Sequence, residues 1–296
     1  MADPIVTVAA PAKLNLYLHV TGKVDDGYHL LDSLIAFANV GDEIKARNAA
    51  DGSLSLAVRG PFAKDLADEA DNLVLRAARK LREAVGIKAG AHLVLEKRLP
   101  VASGIGGGSA DAAAALKALC RIWDVQLSEA DMRTLALDLG ADVPICWVGT
   151  PAFVGGIGDE IEAAPPLPPV PLVLVNPRVA VSTPAVFKAR TGGFQETDRF
   201  KETPIDAAHL AFLLKSRDNG LTDAAKTLCP PVGSVLNGLA ATETPLLVRM
   251  SGSGGTCFAL YETQEQALAA AEQLYDVEPE WWVAVGKLEA AKDGLN

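Results

Sequence analysis

Leu99-Pro100-Val101-Ala102-Ser103-Gly104-Ile105-Gly106-Gly107-Gly108-Ser109-Ala110-Asp111-Ala112-Ala113 sits between two segments of different periodicity. Upstream, His92-Leu93-Val94-Leu95-Glu96 reads as a strand. Downstream, residues 109–123 read as an alanine-rich helix. The loop between them has glycine at four of the five positions 104–108. Glycine permits positive φ and lets backbone N–H groups converge on one point with no side chain in the way. The helix that follows adds unpaired N–H groups and a partial positive charge, so strand, loop and helix together form an anion cradle. The spacing is neither G-x-x-x-x-G-K-[ST] nor G-x-G-x-x-G, so the common nucleotide fingerprints do not apply. A flexible glycine hinge is the alternative, and the element order favours phosphate binding over it.

Outward from the loop, residues 72–85 carry Leu73, Ala77, Leu81 and Val85 at every fourth place. That spacing predicts an amphipathic helix capped by Asp71 or Asn72 and ended by Gly86. Ser128 with Asp131 predicts the start of another helix reaching about Gly140. Short strands are expected at residues 5–8, 14–20, 42–46, 54–58, 172–175, 246–250, 256–261 and 282–285, and the stretch 14–20 alternates as a half-buried strand does. Mixed helical stretches are expected over 184–228 and a last helix over 264–275. Residues 165–171 hold five prolines in seven places, a stiff connector and the best candidate for a boundary.

The 296 residues are 49% apolar and 22% charged, enough to bury a sizeable core in two domains or one large one. Acidic residues outnumber basic ones 37 to 27, a net charge of −10, which argues against a nucleic-acid backbone or an anionic membrane as partner. A local basic pocket for a phosphorylated small molecule is compatible with it. Cys120, Cys146, Cys229 and Cys257 are far apart, with neither zinc nor disulfide-scaffold spacing, as expected of small buried hydrophobes in a reducing compartment. Met1-Ala2-Asp3-Pro4 lacks a basic and apolar leader, and the uncharged runs 143–158 and 227–242 are broken by Gly and Pro. A cytoplasmic, soluble protein is expected.

Four further segments carry chemistry-bearing residues. Arg249-Met250-Ser251-Gly252-Ser253-Gly254-Gly255-Thr256-Cys257-Phe258 is a second glycine run, which alone reads as a tight hairpin or bulge. Pro11-Ala12-Lys13-Leu14-Asn15 places Lys13 and Asn15 on one face of a strand. Most lysines are solvated, but one among apolar neighbours is costly to bury unless it faces an anion. Asp26-Gly27-Tyr28-His29 reads equally as a recognition turn or as an exposed turn. Asp142, between Ala141 and Val143-Pro144, is either solvated or held by a cation from elsewhere in the fold.

Taken in order, these segments resemble the GHMP small-molecule kinases, over most of the chain from Lys13 to Phe258. The glycine loop marks the superfamily. The Lys13-Leu14-Asn15, Tyr28-His29 and Gly140-Ala141-Asp142-Val143-Pro144 segments resemble the branch whose substrate carries a cytosine base, with Ser-Ala-Asp where Ser-Ser-Asp is commoner. The resemblance implies an α+β, two-domain GHMP kinase fold with the active site in the inter-domain cleft, an N-terminal ATP-binding domain at 1–164 and a C-terminal domain at 165–296. It implies ATP and Mg²⁺ as cofactors, a small-molecule alcohol as partner, and a monomer or weak homodimer.

Residues 100–110 would cradle the ATP phosphates. Asp142 would take the proton of the acceptor hydroxyl, and Lys13 would offset the charge of Asp142 and of the γ-phosphoryl group. Tyr28 would stack on the base while His29 hydrogen-bonds its edge, Phe187 would cover the other face, and Asn15 would contact the polyol or its diphosphate. No residue is assigned to the metal, which in such sites rests largely on phosphates and water. The rival readings are a GHMP kinase for homoserine or mevalonate, whose substrates lack a base to stack on, a catalytically dead homologue acting as a sensor, and a general nucleotide-binding module.

Overall fold

The computed structural model describes residues 4–25, 27–66 and 71–289. In chain order the elements are β1 (Val6–Lys23), β2 (His29–Ala49), β3 (Leu54–Arg59), α1 (Leu73–Ala84), β4 (Gly90–Glu96), α2 (Gly107–Trp123), α3 (Glu129–Leu139) and α4 (Val143–Val148). Then come β5 (Ala152–Gly155), β6 (Glu160–Ala163), β7 (Pro171–Asn176), α5 (Thr183–Ala189), α6 (Ala207–Leu214), α7 (Thr222–Leu228) and α8 (Pro230–Ala240). The chain closes with β8 (Leu247–Met250), β9 (Cys257–Leu260), α9 (Gln264–Val277) and β10 (Trp282–Lys287). They form two compact units, neither continuous in sequence. The first comprises Met1–Ala12, Gly41–Val101 and Gly106–Gly149, and the second Lys13–Val40, Ala102–Ile105 and Thr150–Asn296. The proline run 165–171 lies inside the second unit.

In the first unit β3 runs parallel to β4, with Leu56 opposite Leu93, and β4 pairs antiparallel with the end of β2, with Ile44 opposite Leu95. Asn72 caps α1 by accepting from the Val74 N–H at 2.9 Å, and the apolar stripe Val74, Ala77, Ala78 and Leu81 turns inward. Helix α2 buries Ala110, Ala112, Ala113, Ala114 and Ala115, and this small-residue surface lets α1 and α4 pack close to it. Ser128 caps α3 through the Asp131 N–H, as the spacing predicts.

The second unit contains an antiparallel sheet in the order β10-β7-β9-β8. Val173, Val175 and Ala259 of this sheet, with Tyr261 just after β9, share a core with Val232, Val235 and Leu239 of α8, Ala267, Ala270 and Leu274 of α9, and Leu18 and Val20 of β1. Near the start of β2, Ser33 to Ile35 pair antiparallel with β5. A full capping box between Thr263 and Gln266 starts α9.

The structure differs from the sequence expectation in several places. Residues 6–8 of the expected 5–8 strand and residues 14–20 belong to one strand, because the small residues and Pro11 between them interrupt the apolar pattern without interrupting the extended backbone. The stretch 14–20 is not half-buried: every residue from Ala12 to Val20 is buried, including the polar face Lys13, Asn15, Tyr17 and His19. Strand β2 starts thirteen residues before the expected 42–46 strand. The uncharged runs hide α4 and β5 (143–158) and α8 (227–242), since buried helices and strands carry no alternation to read. All four cysteines are free thiols, with Cys146, Cys229 and Cys257 buried as expected and Cys120 only half-buried. Among the described residues no helix is long and apolar enough to cross a membrane.

Candidate active site

The polar face of β1 is the organising feature of the second unit. Lys13 and Asn15 are 5% and 4% exposed, and the ammonium Nζ of Lys13 donates to Asn15 Oδ1 at 3.1 Å. The Asn15 amide is oriented from its other end, since Nδ2 donates to Ser33 Oγ at 2.8 Å and Ser33 Oγ donates to the Tyr17 carbonyl at 2.5 Å. Both polar ends of Asn15 therefore fix where Lys13 points. Further along, Tyr17 donates to Asp32 Oδ2 at 2.9 Å, and burial beside that carboxylate pushes the Tyr17 phenol up from its usual range.

The middle of the first glycine loop, residues 102–105, also belongs to this unit. Its Ile105 carbonyl accepts from the Lys13 N–H at 2.9 Å. The Ser103 carbonyl accepts from the Thr256 N–H at 2.9 Å, and Ser251 Oγ donates to the Gly104 carbonyl at 3.2 Å while accepting from the Asn15 N–H at 3.1 Å. The second glycine run is thus the hairpin between β8 and β9 that its sequence suggests, with a further use: its turn is the seat on which the first loop lies. Gly104 has φ +74°, and a Cβ there would stand 2.2 Å from the Gly254 carbonyl oxygen. Only glycine fits, because both the backbone angle and the contact exclude a side chain.

The remainder of that loop opens α2 in the first unit. Gly106 is the N-cap residue and supplies no side-chain cap, and the first turn contains no acidic residue. Gly108 is exposed, with open space where a Cβ would be. A helix start of this kind leaves its first N–H groups for an anion, which is the donor set that nucleotide phosphates require. Asp142, in the same unit, is half-buried at the N-cap of α4, and its side chain does not cap the helix it opens. Buried Val143, Pro144, Ile145 and Cys146 anchor that helix behind it.

At the start of β2 the His29 ring stacks on Phe187 of α5, with centroids 5.2 Å apart and planes 27° from parallel. Ser182 caps α5, and Thr183 shares a 2.6 Å hydrogen bond with Ser253 of the second glycine run. Partial burial, with Lys23 and Arg190 nearby, lowers the His29 pKa and favours the neutral imidazole, which can both donate and accept. Tyr28 is 63% exposed. Asp26 lies outside the described residues. The structure therefore brings Lys13 together with Asn15, and His29 together with Phe187. Asp142 and residues 106–110 belong to the other unit. Sequence reasoning missed Ser33 and Ser251, which orient these groups. Their only signal was a serine beside a turn or within a strand. Among the described residues no group of three or more His, Cys, Asp or Glu side chains could hold a metal ion.

Residues 72–150 match the GHMP kinases N terminal domain and residues 204–279 the GHMP kinases C terminal domain. The 4-diphosphocytidyl-2-C-methyl-D-erythritol kinase of Paramagnetospirillum magneticum is 55% identical over 95% of this chain and 98% of its own length. The enzyme of the same name from Rhodospirillum rubrum is 50% identical over 97% and 93%. A crystal structure of 4-(cytidine 5'-diphospho)-2C-methyl-D-erythritol kinase superposes with a TM-score of 0.76 at 34% identity, covering 96% of this chain and 99% of that one. Homoserine kinase from Cytophaga hutchinsonii shares the fold, with a TM-score of 0.74 at 19% identity. With a shared α+β architecture, both domain matches and near-full-length relatives at this identity, the chain belongs to the GHMP kinase family, in its branch of 4-diphosphocytidyl-2-C-methyl-D-erythritol kinases.

Proposed function

We propose that this protein transfers the γ-phosphoryl group of ATP to the 2-hydroxyl of 4-diphosphocytidyl-2-C-methyl-D-erythritol, giving the 2-phosphate and ADP. The observation that carries the substrate reading is the His29–Phe187 ring stack beside the exposed Tyr28. Aromatic faces suit a planar base, and a neutral imidazole suits the donor and acceptor edge of a pyrimidine. Homoserine and mevalonate offer no base to such a site. The names of its near-full-length relatives support the same choice.

In the reaction the 2-hydroxyl oxygen bonds to the γ-phosphorus, the bond from that phosphorus to the β,γ-bridging oxygen breaks, and the hydroxyl proton passes to Asp142. An alcohol is a poor nucleophile, so a carboxylate that takes its proton as the bond forms is what the chemistry needs. Lys13, oriented through Asn15 and Ser33, would stabilise the charge on the transferring group. Residues 100–110 would hold the nucleotide phosphates by backbone N–H groups, and Asn15 would also contact the polyol or its diphosphate. Mg²⁺, when bound with the nucleotide, would supply countercharge through phosphate oxygens and water. The same reading takes the protein as cytoplasmic and as a monomer or weak homodimer.

The test is a coupled ADP-release assay with ATP and Mg²⁺, offering the cytidyl substrate, homoserine and mevalonate in parallel. Turnover of the first alone is expected. Turnover of homoserine or mevalonate in its place would refute the base-stacking assignment.

A further inference from the structure

Three buried ionisable side chains in the first unit take no part in the chemistry above. Lys97 directly follows β4 and is 2% exposed. Its Nζ donates to Asp42 Oδ2 at 2.5 Å and to Asp111 Oδ2 at 2.8 Å. Asp42, fully covered at its side chain, accepts through Oδ1 from the Arg98 N–H at 2.5 Å and the Leu99 N–H at 2.8 Å. Asp111 is 3% exposed in the early turns of α2, and its Oδ1 is buried with no hydrogen-bond partner. A Cβ at Gly107 would lie 3.0 Å from Lys97 Nζ, so the ammonium lies close beneath the first turn of the helix.

The arrangement joins the two flanks of the glycine loop. Asp42 grips the strand side at residues 98 and 99, Asp111 belongs to the helix side, and Lys97 links them. Buried ion groups of this kind are poor devices for stability, because apolar residues of equal volume serve as well or better. Their attested use is to fix one conformation among several. Here the conformation fixed is that of the backbone leading into and out of the anion cradle. Two carboxyls share one ammonium, and Asp42 also has two N–H donors, so the leftover proton belongs on Asp111. Burial pushes the Asp111 carboxyl up to about 8, in the same sense, with Lys97 pulling it down and Asp42 pushing it further up.

We propose that Lys97, bridging Asp42 and Asp111, is a positioning residue that sets the two flanks of the glycine loop and thereby the affinity for nucleotide phosphates. This rests on the reading of residues 100–110 as the phosphate cradle. The alanine-rich α2 accommodates Asp111→Ala without loss of helix propensity, and the Lys97–Asp42 pair survives that change.

The test is calorimetric titration of the full chain with ATP and Mg²⁺, in which stoichiometry reports the folded fraction and Kd reports the cradle. Lys97→Met is expected to weaken ATP binding about tenfold and Asp111→Ala about fivefold, as loss of a charge-assisted anchor implies, while Asp111→Asn, which keeps the acceptor for Lys97, restores Kd to within about twofold of wild type. If Lys97→Met does not fold, the Asp111 pair decides. A folded Asp111→Ala with the wild-type Kd, or an Asp111→Asn as weak as Asp111→Ala, would overturn the proposal. Wild-type protein that binds no ATP would overturn the cradle and the clamp together. ATP binding without turnover of the cytidyl substrate would count against the substrate reading alone, since the Kd series still decides the clamp.

Discussion

The flanks and the middle of the first glycine loop are held in opposite ways. In the first unit the flanks of the first loop are tied by the charges Asp42, Lys97 and Asp111, taken out of water at considerable cost and arranged so that almost every polar atom is satisfied. In the second unit residues 102–105 are held through their backbone and without charge: carbonyls of Ser103 and Ile105 accept from backbone N–H groups, that of Gly104 accepts from the Ser251 hydroxyl, and Gly104 packs against the Gly254 carbonyl with no room for a methyl group. The contrast teaches that one loop can need both devices. Close backbone contact fixes shape but tolerates no side chain, whereas buried charges tolerate small changes of shape but respond to protonation.

The sharpest way to break the comparison is Gly104→Ala. The residue has φ +74° and its new Cβ would meet a backbone oxygen at 2.2 Å, so a loss of about 3 kcal/mol is expected, from the strained angle and the overpacking together. Urea unfolding would show it as a lower midpoint with an unchanged slope. A loss below about 1 kcal/mol would mean that the backbone seat is adaptable.

The charged side should respond to pH. The Asp111 carboxyl is raised to about 8 in the folded protein from an ordinary 3.8, so folding binds an extra proton between those values. Its contribution to stability is fully present below about pH 4 and is lost as pH rises through about 8. Asp111→Asn should flatten that part of the stability profile. An unchanged slope would show that Asp111 does not titrate in this window.

Tyr28, 63% exposed, serves as the control. Tyr28→Ala should leave stability unchanged and raise KM for the cytidyl substrate about tenfold, the usual worth of one base–aromatic stack, with KM for ATP unaffected. If both KM values rise together, Tyr28 is structural.

Much of this was legible in the sequence because it depends on local rules. The helix α1 and its Asn72 cap, and the strand, loop and helix order around residues 99–113, follow from spacing and backbone chemistry alone, although the buried stripe of α1 shares only Ala77 and Leu81 with the expected one. The clamp was not legible, since Asp42, Lys97 and Asp111 are scattered, ordinary surface-type residues until the fold buries them together. The polar face of β1 was misread for the same reason. Alternation of Lys13, Asn15, Tyr17 and His19 with apolar residues predicts a solvated face, and only long-range partners such as Asp32, Ser33 and Ser251 make it a buried one. The glycine run at 251–256 reads from sequence as a hairpin or a bulge, but its seat for the first loop depends on contacts about 150 residues away in sequence.

The central claim is phosphoryl transfer to the 2-hydroxyl with Asp142 as the proton acceptor. Phosphorus NMR of the product, made in parallel by wild type and Asp142→Asn from ATP, Mg²⁺ and the cytidyl substrate, tests it most directly. Wild type should build a new phosphate monoester signal on the 2-oxygen, and Asp142→Asn should build it at least about 10²-fold more slowly while binding both ligands normally. A phosphate on another oxygen, or an Asp142→Asn rate near that of wild type, would contradict the account.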